Sequence, residues 1–231
     1  MKTEEDYKNG QVLLIDKPLK WTSFQVVNKL RWEIRQRYNI KKIKVGHAGT
    51  LDPLATGLLI ICTGKKTKII DTYQGQIKEY TGTITLGGTT PSYDLETEIN
   101  ETFATDHITD ELIHETTKQF TGVIQQKPPI FSAIKKEGKR LYELARKGET
   151  TEIKSREVMI PVFEITNINA NNLDFRVVCS KGTYIRSLAY DFGVALNSGA
   201  HLSALRRTKI GDFHVENAVS VDVFIKSLEA E

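Results

Sequence analysis

The sequence predicts an α+β fold, with a mixed and mainly antiparallel sheet flanked by helices and loops. Three observations carry that expectation. Short strand-length segments come in runs, amphipathic helical segments fall between them without strict βαβ alternation, and the composition is that of an ordinary globular chain. Its 231 residues are 39% hydrophobic and 26% charged, with 16 Gly and 6 Pro, which excludes collagen-like, low-complexity and wholly disordered classes.

The elements follow in order. Gln11 to Asp16 is a short apolar run closed by Lys17-Pro18 and reads as a buried strand. Thr22 and Ser23 are N-cap residues for a helix whose apolar stripe is Phe24, Val27, Leu30, Ile34 and Tyr38. A turn-rich segment, Gly46 to Gly57, leads into Leu58 to Cys62, a second buried strand. Lys78 to Leu86 alternates with period two and is a strand. Thr109 caps a short helix that runs towards Gly122, and Leu141 to Lys147 forms another. Val158 to Ile168 and Leu173 to Cys179 flank Asn169 to Asn172 and predict a hairpin. Ile185, Leu188, Ala189, Phe192 and Leu196 mark a further helix, and Ala218 to Leu228 the last. No internal repeat or linker divides the chain. The expectation is one catalytic domain over 1–231, with the acidic stretch at about 92–110 as an exposed insertion.

No segment nears the roughly 20 apolar residues of a membrane span, and the polar first ten residues are not a secretory signal. These features predict a cytoplasmic protein without membrane contact. The net charge of +3 is unevenly placed: +7 over residues 1–75, −7 over 76–120, +4 over 121–160 and −1 over 161–231. Two basic blocks suit a polyanion crossing part of the surface, because Lys and Arg neutralise phosphates and release counterions. Solvated faces that bind nothing account for the charge equally well. Cys62 and Cys179 sit among apolar neighbours and read as buried free thiols.

Several catalytic signatures are excluded. Gly64-Lys65 is not a P-loop, since Leu59 and Lys66 stand where a glycine and a hydroxyl are needed. There is no Gly-x-Ser-x-Gly elbow and no Gly-x-Gly-x-x-Gly opening a helix. The five histidines show no zinc spacing, so no metal site is predicted. What stands out is Val45-Gly-His-Ala-Gly-Thr-Leu-Asp-Pro-Leu-Ala-Thr-Gly57. Pro53 biases Asp52 towards extended backbone, so a carboxylate is presented on a stiff loop between Leu51 and Leu54. A plain turn aspartate is the alternative. The segment Gln125 to Arg140 combines Pro128-Pro129, Phe131 and five cations, as an RNA-contacting loop or a basic surface loop would. Lys181, Tyr184 and Arg186 cluster where a strand meets a helix N-terminus, a setting that favours anions; Arg186 paired with a structural carboxylate fits as well.

Together these blocks resemble the tRNA pseudouridine synthases of the TruB type, which isomerise uridine 55 in the T-arm of tRNA. The resemblance rests on Leu14-Ile-Asp-Lys-Pro18 with Thr22-Ser23, Gly46 to Leu58, Lys78-Glu-Tyr80, Pro128 to Ala133 with Gly138 to Tyr142, Cys179 to Arg186, and Gly199-Ala-His201 with Leu205-Arg-Arg207. It implies a pseudouridine-synthase-like fold and a base-flipping, cofactor-free reaction. It makes Asp52 the nucleophile, Arg186 its ionic partner and Tyr80 the ring stacking on the flipped uracil. Tyr184 and Leu205 would line the base pocket, His47 would contact the RNA, and Lys17 with Pro18 would support the active-site loop. The implied partner is the tRNA T-arm stem-loop, met by a monomer that needs no protein partner, and grip would come from the 24–38 helix, Lys41 to Lys44 and loop 127–140. Two departures stand out. The chain ends about 25 residues after Arg207, which predicts the absence of the family's C-terminal RNA-binding (PUA) domain. The block Gly87 to Asp94 places Ser92 and Tyr93 where the commoner pattern carries charge. A non-catalytic RNA-binding module and a base-releasing glycosylase are the competing readings.

Overall fold

A computed structural model describes residues 2–132, 135–136, 139–140 and 153–229. The helix predicted at Leu141 to Lys147, and the Gly138 to Tyr142 block beyond its strand residues, lie outside the described residues. The chain forms two compact units: Met1–Tyr80 with Leu205–Glu231, and Thr81–Ala204. Strands Lys78–Leu86 and Ala200–Ile210 each pass from one unit into the other.

In the first unit the strand order is 205–210, Ala55–Thr63, Val12–Lys17 and Val219–Ser220. Val12–Lys17 runs antiparallel to Ala55–Thr63, whereas Leu205 to Arg207 run parallel to Ala55 to Gly57. The sheet is therefore mixed. Leu59 and Ile61 pack with Val26, Val27, Leu30, Ile34 and Phe224, while Leu58, Ile60 and Cys62 pack with Ala48, Ile210 and Val215. A strand covered on both faces has no solvent side to alternate with, which is why its sequence is uniformly apolar.

The helix spans Ser23–Arg37, with Thr22 as N-cap in a capping box with Gln25. Phe24 departs from expectation. It lies 62% exposed, and Val26 takes the buried place beside Val27, Leu30 and Ile34. In the first turn the buried direction is claimed by Ser23, which is 2% exposed.

In the second unit, Val162–Asn169 and Asn172–Cys179 form the hairpin, and strand order continues through 81–86 to 200–204. Residues before Val162 do not join it: Arg156–Ile160 pairs separately with Gly122–Gln126. Phe120, Phe163, Phe175 and Phe192 interlock by edge-to-face contacts, each such pair adding roughly 0.5–1.5 kcal/mol beyond area burial. The helix after Thr109 is shorter than expected, Asp110–Thr117, and continues as a 3-10 turn, Lys118–Phe120. The acidic stretch is not uniformly exposed either, since Ser92 and Asp94 are buried and exposure begins at Leu95. Cys62 and Cys179 are both buried. No helix of the described residues is long and apolar enough to cross a membrane.

Candidate functional site

Asp52 sits half-buried in a loop whose backbone is fixed on every side. Ser23 Oγ accepts from Leu51 N at 2.8 Å and donates to Leu51 O at 3.1 Å. Lys20 N donates to Pro53 O at 2.8 Å, and Ala55 N to Asp52 O at 3.1 Å. Arg207, 1% exposed, donates to the carbonyls of Leu58 at 2.8 Å, Gly49 at 3.0 Å and Thr50 at 3.4 Å. Gly57 permits the close approach. It has φ +101°, and a Cβ there would stand 2.3 Å from Arg207 O. Tyrosine, aspartate or any other side chain at this position would part the two strands.

Lys17 alternates onto the buried face of its strand and is fully buried. Its ammonium donates to the carbonyls of Trp21 at 2.6 Å, Pro18 at 2.9 Å and Pro53 at 3.4 Å, tying the strand end to the Asp52 loop. Burial lowers its pKa to about 8; the Asp52 carboxylate opposes that fall and Arg207 adds to it. His47 ends the short strand Val45–His47, and its Nδ1 is buried without a hydrogen-bond partner among the described residues. Burial first, and Arg207 second, hold its imidazole below the usual range, so it is neutral at pH 7. Tyr80 is 8% exposed on the buried face of Lys78–Leu86. Leu205 is half-buried opposite Ala55 in the parallel register.

The other two predicted site residues belong to the second unit. Arg186, 4% exposed, lies in the first turn of the Ile185–Ala195 helix. It donates to Phe131 O at 2.9 Å and Ser92 O at 3.2 Å, and its Nε lies 3.6 Å from Asp94 Oδ2. Asp94 is 5% exposed and its Oδ1 also accepts from Glu96 N at 3.0 Å. Tyr184 caps the same helix. Its backbone exchanges two hydrogen bonds with the Gln126 amide, at 2.8 and 3.0 Å, and the Arg156 guanidinium stands 4.8 Å from its ring centroid. Tyr93 holds φ +64° and stacks on Tyr190, with centroids 4.1 Å apart. Burial, followed by Tyr190 and Asp191, pushes the Tyr93 phenol up to about 12.

The structure thus gathers Asp52, Lys17, His47, Tyr80 and Leu205 in one unit and Arg186 with Tyr184 in the other. Sequence reading gave no role to Arg207 or Asp94, and to Ser23 only that of a helix cap. Arg207 stood within a quoted motif, but donation to carbonyls leaves no sequence pattern. Asp94 could have been found by asking which carboxylate balances a buried Arg186.

Two family models match the chain. Residues 35–185 match the TruB family pseudouridylate synthase N-terminal domain, and residues 186–230 the tRNA pseudouridylate synthase B C-terminal domain. The class defined by this fold and these motif loops is therefore that of the pseudouridylate synthases. Among curated proteins, the chain is 67% identical to tRNA pseudouridine synthase B of Flavobacterium johnsoniae, over 98% of this chain and 100% of that protein. It is 56% identical to the namesake from Phocaeicola vulgatus, over 98% and 96%. The chain belongs to the TruB family of tRNA pseudouridine synthases, isomerases that convert uridine to pseudouridine in tRNA. Its fold is similar to a chain of a Cbf5-Nop10-Gar1 complex, with TM-score 0.71 and 29% identity, covering 98% of this chain and 56% of that one. A chain of the archaeal box H/ACA Nop10-Cbf5 complex gives TM-score 0.70 at 27% identity, with 98% and 56% covered. The chain spans about half the length of these solved structures.

Proposed function

We propose that this isomerase acts on uridine 55 in the T-arm of tRNA, taking the nucleotide out of the loop and using Asp52 as nucleophile, without cofactor. The C1′–N1 bond breaks, the uracil is kept, and it rejoins C1′ through C5; C5 loses its proton and N1 gains one, so substrate and product have the same atoms. A base that must be detached and reattached has to be enclosed, and extrusion makes that possible. Stacking on Tyr80 contributes about 1–3 kcal/mol to that extrusion. The Asp52 carboxylate attacks, or stabilises positive charge at, the sugar carbon. Arg186 supplies a fixed guanidinium, Tyr184 and Leu205 line the base pocket, His47 meets the RNA as a neutral imidazole, and Lys17 supports the loop. In this reading residues 1–231 act as one catalytic domain, cytoplasmic and monomeric, with no protein partner required.

The observation that carries the proposal is the restraint around Asp52. Side chains of Ser23, Lys17 and Arg207 hold the peptide groups of Gly49, Thr50, Leu51 and Pro53, while Asp52 itself stays half-exposed. Such fixed placement of one reactive carboxylate is what covalent catalysis requires. The test is incubation of wild type and Asp52→Asn with unmodified tRNA, reading products by a pseudouridine-specific chemical stop. Wild type yields a stop at position 55 and the variant yields none while binding tRNA within a few-fold. A stop that survives the substitution overturns the assignment.

A further inference from the structure

Two tyrosine rings stack one helical turn from Arg186 without a part in the proposed chemistry. Tyr93 and Tyr190, both half-buried in the second unit, lie with centroids 4.1 Å apart and planes inclined by 18°. Tyr190 follows Arg186 by four positions in the Ile185–Ala195 helix, so the two side chains leave the same face. Tyr93 stands between Ser92 and Asp94, the two residues of its loop that face the Arg186 guanidinium. Ser92 O accepts from Arg186 Nη1 at 3.2 Å, and Asp94 Oδ2 lies 3.6 Å from Arg186 Nε. The stack therefore joins the same loop to the same helix a second time.

The loop is tightly held at this point. Tyr93 has φ +64°, a left-handed conformation that a bulky residue keeps only where its surroundings over-determine it. Its N–H donates to Thr90 O at 3.1 Å and its carbonyl accepts from Leu202 N at 2.9 Å, beside the parallel bridge of Asp94 to Leu202. Thr90 Oγ1 and Ser92 Oγ donate to Asp94 O at 2.7 and 3.1 Å. These bonds fix the loop to itself and to the strand Ala200–Ile210; the stack fixes it against the helix that carries Arg186. The Tyr93 phenol, pushed up to about 12 by burial and then by Tyr190 and Asp191, keeps its proton at neutral pH, so its ring meets Tyr190 uncharged.

We infer that Tyr93 and Tyr190 are positioning residues of the isomerase: their stack sets where the Ser92 carbonyl and the Asp94 carboxylate stand, and through them where the Arg186 guanidinium points. A guanidinium used as a fixed charge loses its effect once misplaced, since a displacement of about 1 Å at a reacting site costs up to roughly 10²-fold in rate. The inference rests on the reading of Arg186 as a working residue of the site.

The test is single-turnover pseudouridine formation, read beside tRNA Kd and melting temperature, with each substitution made both in wild type and in Arg186→Met/Asp94→Asn, which strands no buried charge. Tyr190→Leu removes one ring and keeps the helix; Tyr93→Gly removes the other and relaxes the left-handed backbone. Tyr190→Phe and Tyr93→Phe keep both rings. In wild type each ring removal lowers the rate constant about 10- to 100-fold with tRNA Kd unchanged, and the Phe variants keep the wild-type rate. In Arg186→Met/Asp94→Asn the same ring removals cost nothing further, because a residue that acts through another is not additive with it. Should Tyr93→Gly melt below the assay temperature, Tyr190→Leu, whose loop backbone is intact, decides alone. The inference is overturned if the rate survives ring removal, or if the loss recurs undiminished in Arg186→Met/Asp94→Asn, which assigns it to general loosening. It is overturned too if the Phe variants fall as far, which gives the role to the hydroxyls, or if tRNA Kd rises at unchanged rate, which makes the rings an RNA contact. An Arg186→Met/Asp94→Asn enzyme as fast as wild type defeats the reading of Arg186 and the inference with it; a slow one beside fast ring variants defeats the inference alone.

Discussion

Arg207 and Arg186 are both almost wholly buried, one in each unit, yet they are held in different ways. Arg207 spreads its guanidinium over three main-chain carbonyls, of Gly49, Thr50 and Leu58. Arg186 shares its own between two carbonyls and the Asp94 carboxylate. A cation satisfied by carbonyl dipoles braces the chain that carries them. A cation facing a buried carboxylate has a partner that is itself costly to leave alone, so the two charges are tied to one another as well as to the fold.

That contrast can be broken first at Arg186. Arg186→Met should lower turnover by roughly 10²–10³-fold, the scale of a lost preorganised charge, and lower unfolding free energy by about 3–5 kcal/mol because Asp94 is stranded. Adding Asp94→Asn should return much of the stability and none of the turnover, read by denaturant unfolding alongside pseudouridine formation. A double variant no more stable than the single one would dissolve the distinction between the arginines.

Arg207→Met comes next. It leaves three carbonyls without their donor and should cost about 3 kcal/mol, with turnover falling less than for Arg186→Met. Amide exchange should quicken selectively over 49–58. No charge-removing second substitution should restore it, since its partners are main chain.

The smallest effect sharpens the comparison with a half-buried carboxyl whose raised pKa has a single cause. Burial lifts Asp191 to about 6 from the ordinary 3.8. Between about pH 4 and 6 the folded state keeps a proton that the unfolded chain has released, so this group's contribution to stability falls as pH rises through that window. Asp191→Asn should flatten that decline and raise stability at pH 7 by about 1–2 kcal/mol, after discounting the full shift for partial exposure. Unfolding curves at pH 4, 5, 6 and 7 check the sign.

Regular elements were legible where one face meets water. Lys78–Leu86 has the predicted limits because its period of two is unbroken, and Ser23–Arg37 starts one residue early because, of the two cap residues offered, Thr22 is the one that forms the capping box with Gln25. Legibility failed where tertiary contacts decide. Phe24 fits the helical period but yields the inward direction to Ser23, whose hydroxyl is used by Leu51. Val158 to Ile160 read as the start of the next strand, yet they belong to Arg156–Ile160, which pairs with Gly122–Gln126, a choice that no local pattern encodes. At the site, the Asp52 loop announced itself through its glycines and proline. Asp94 was hidden in a run of acidic residues, because a single buried member of a solvated stretch has no periodicity to mark it.

The first unit is assembled from both ends of the chain, Met1–Tyr80 and Leu205–Glu231, while the second is contiguous from Thr81 to Ala204. Synthesis on the ribosome runs in one direction, so every residue of the second unit emerges before the first unit's last strand exists. The brace on Gly49, Thr50 and Leu58 comes from Arg207, some 150 positions downstream. Asp52 is therefore made early and braced fully only late: a nascent chain stalled short of Arg207 has Ser23 and Lys17 to hold Leu51 and Pro53, but its proposed nucleophile sits on a loop whose Gly49, Thr50 and Leu58 carbonyls still lack their donor.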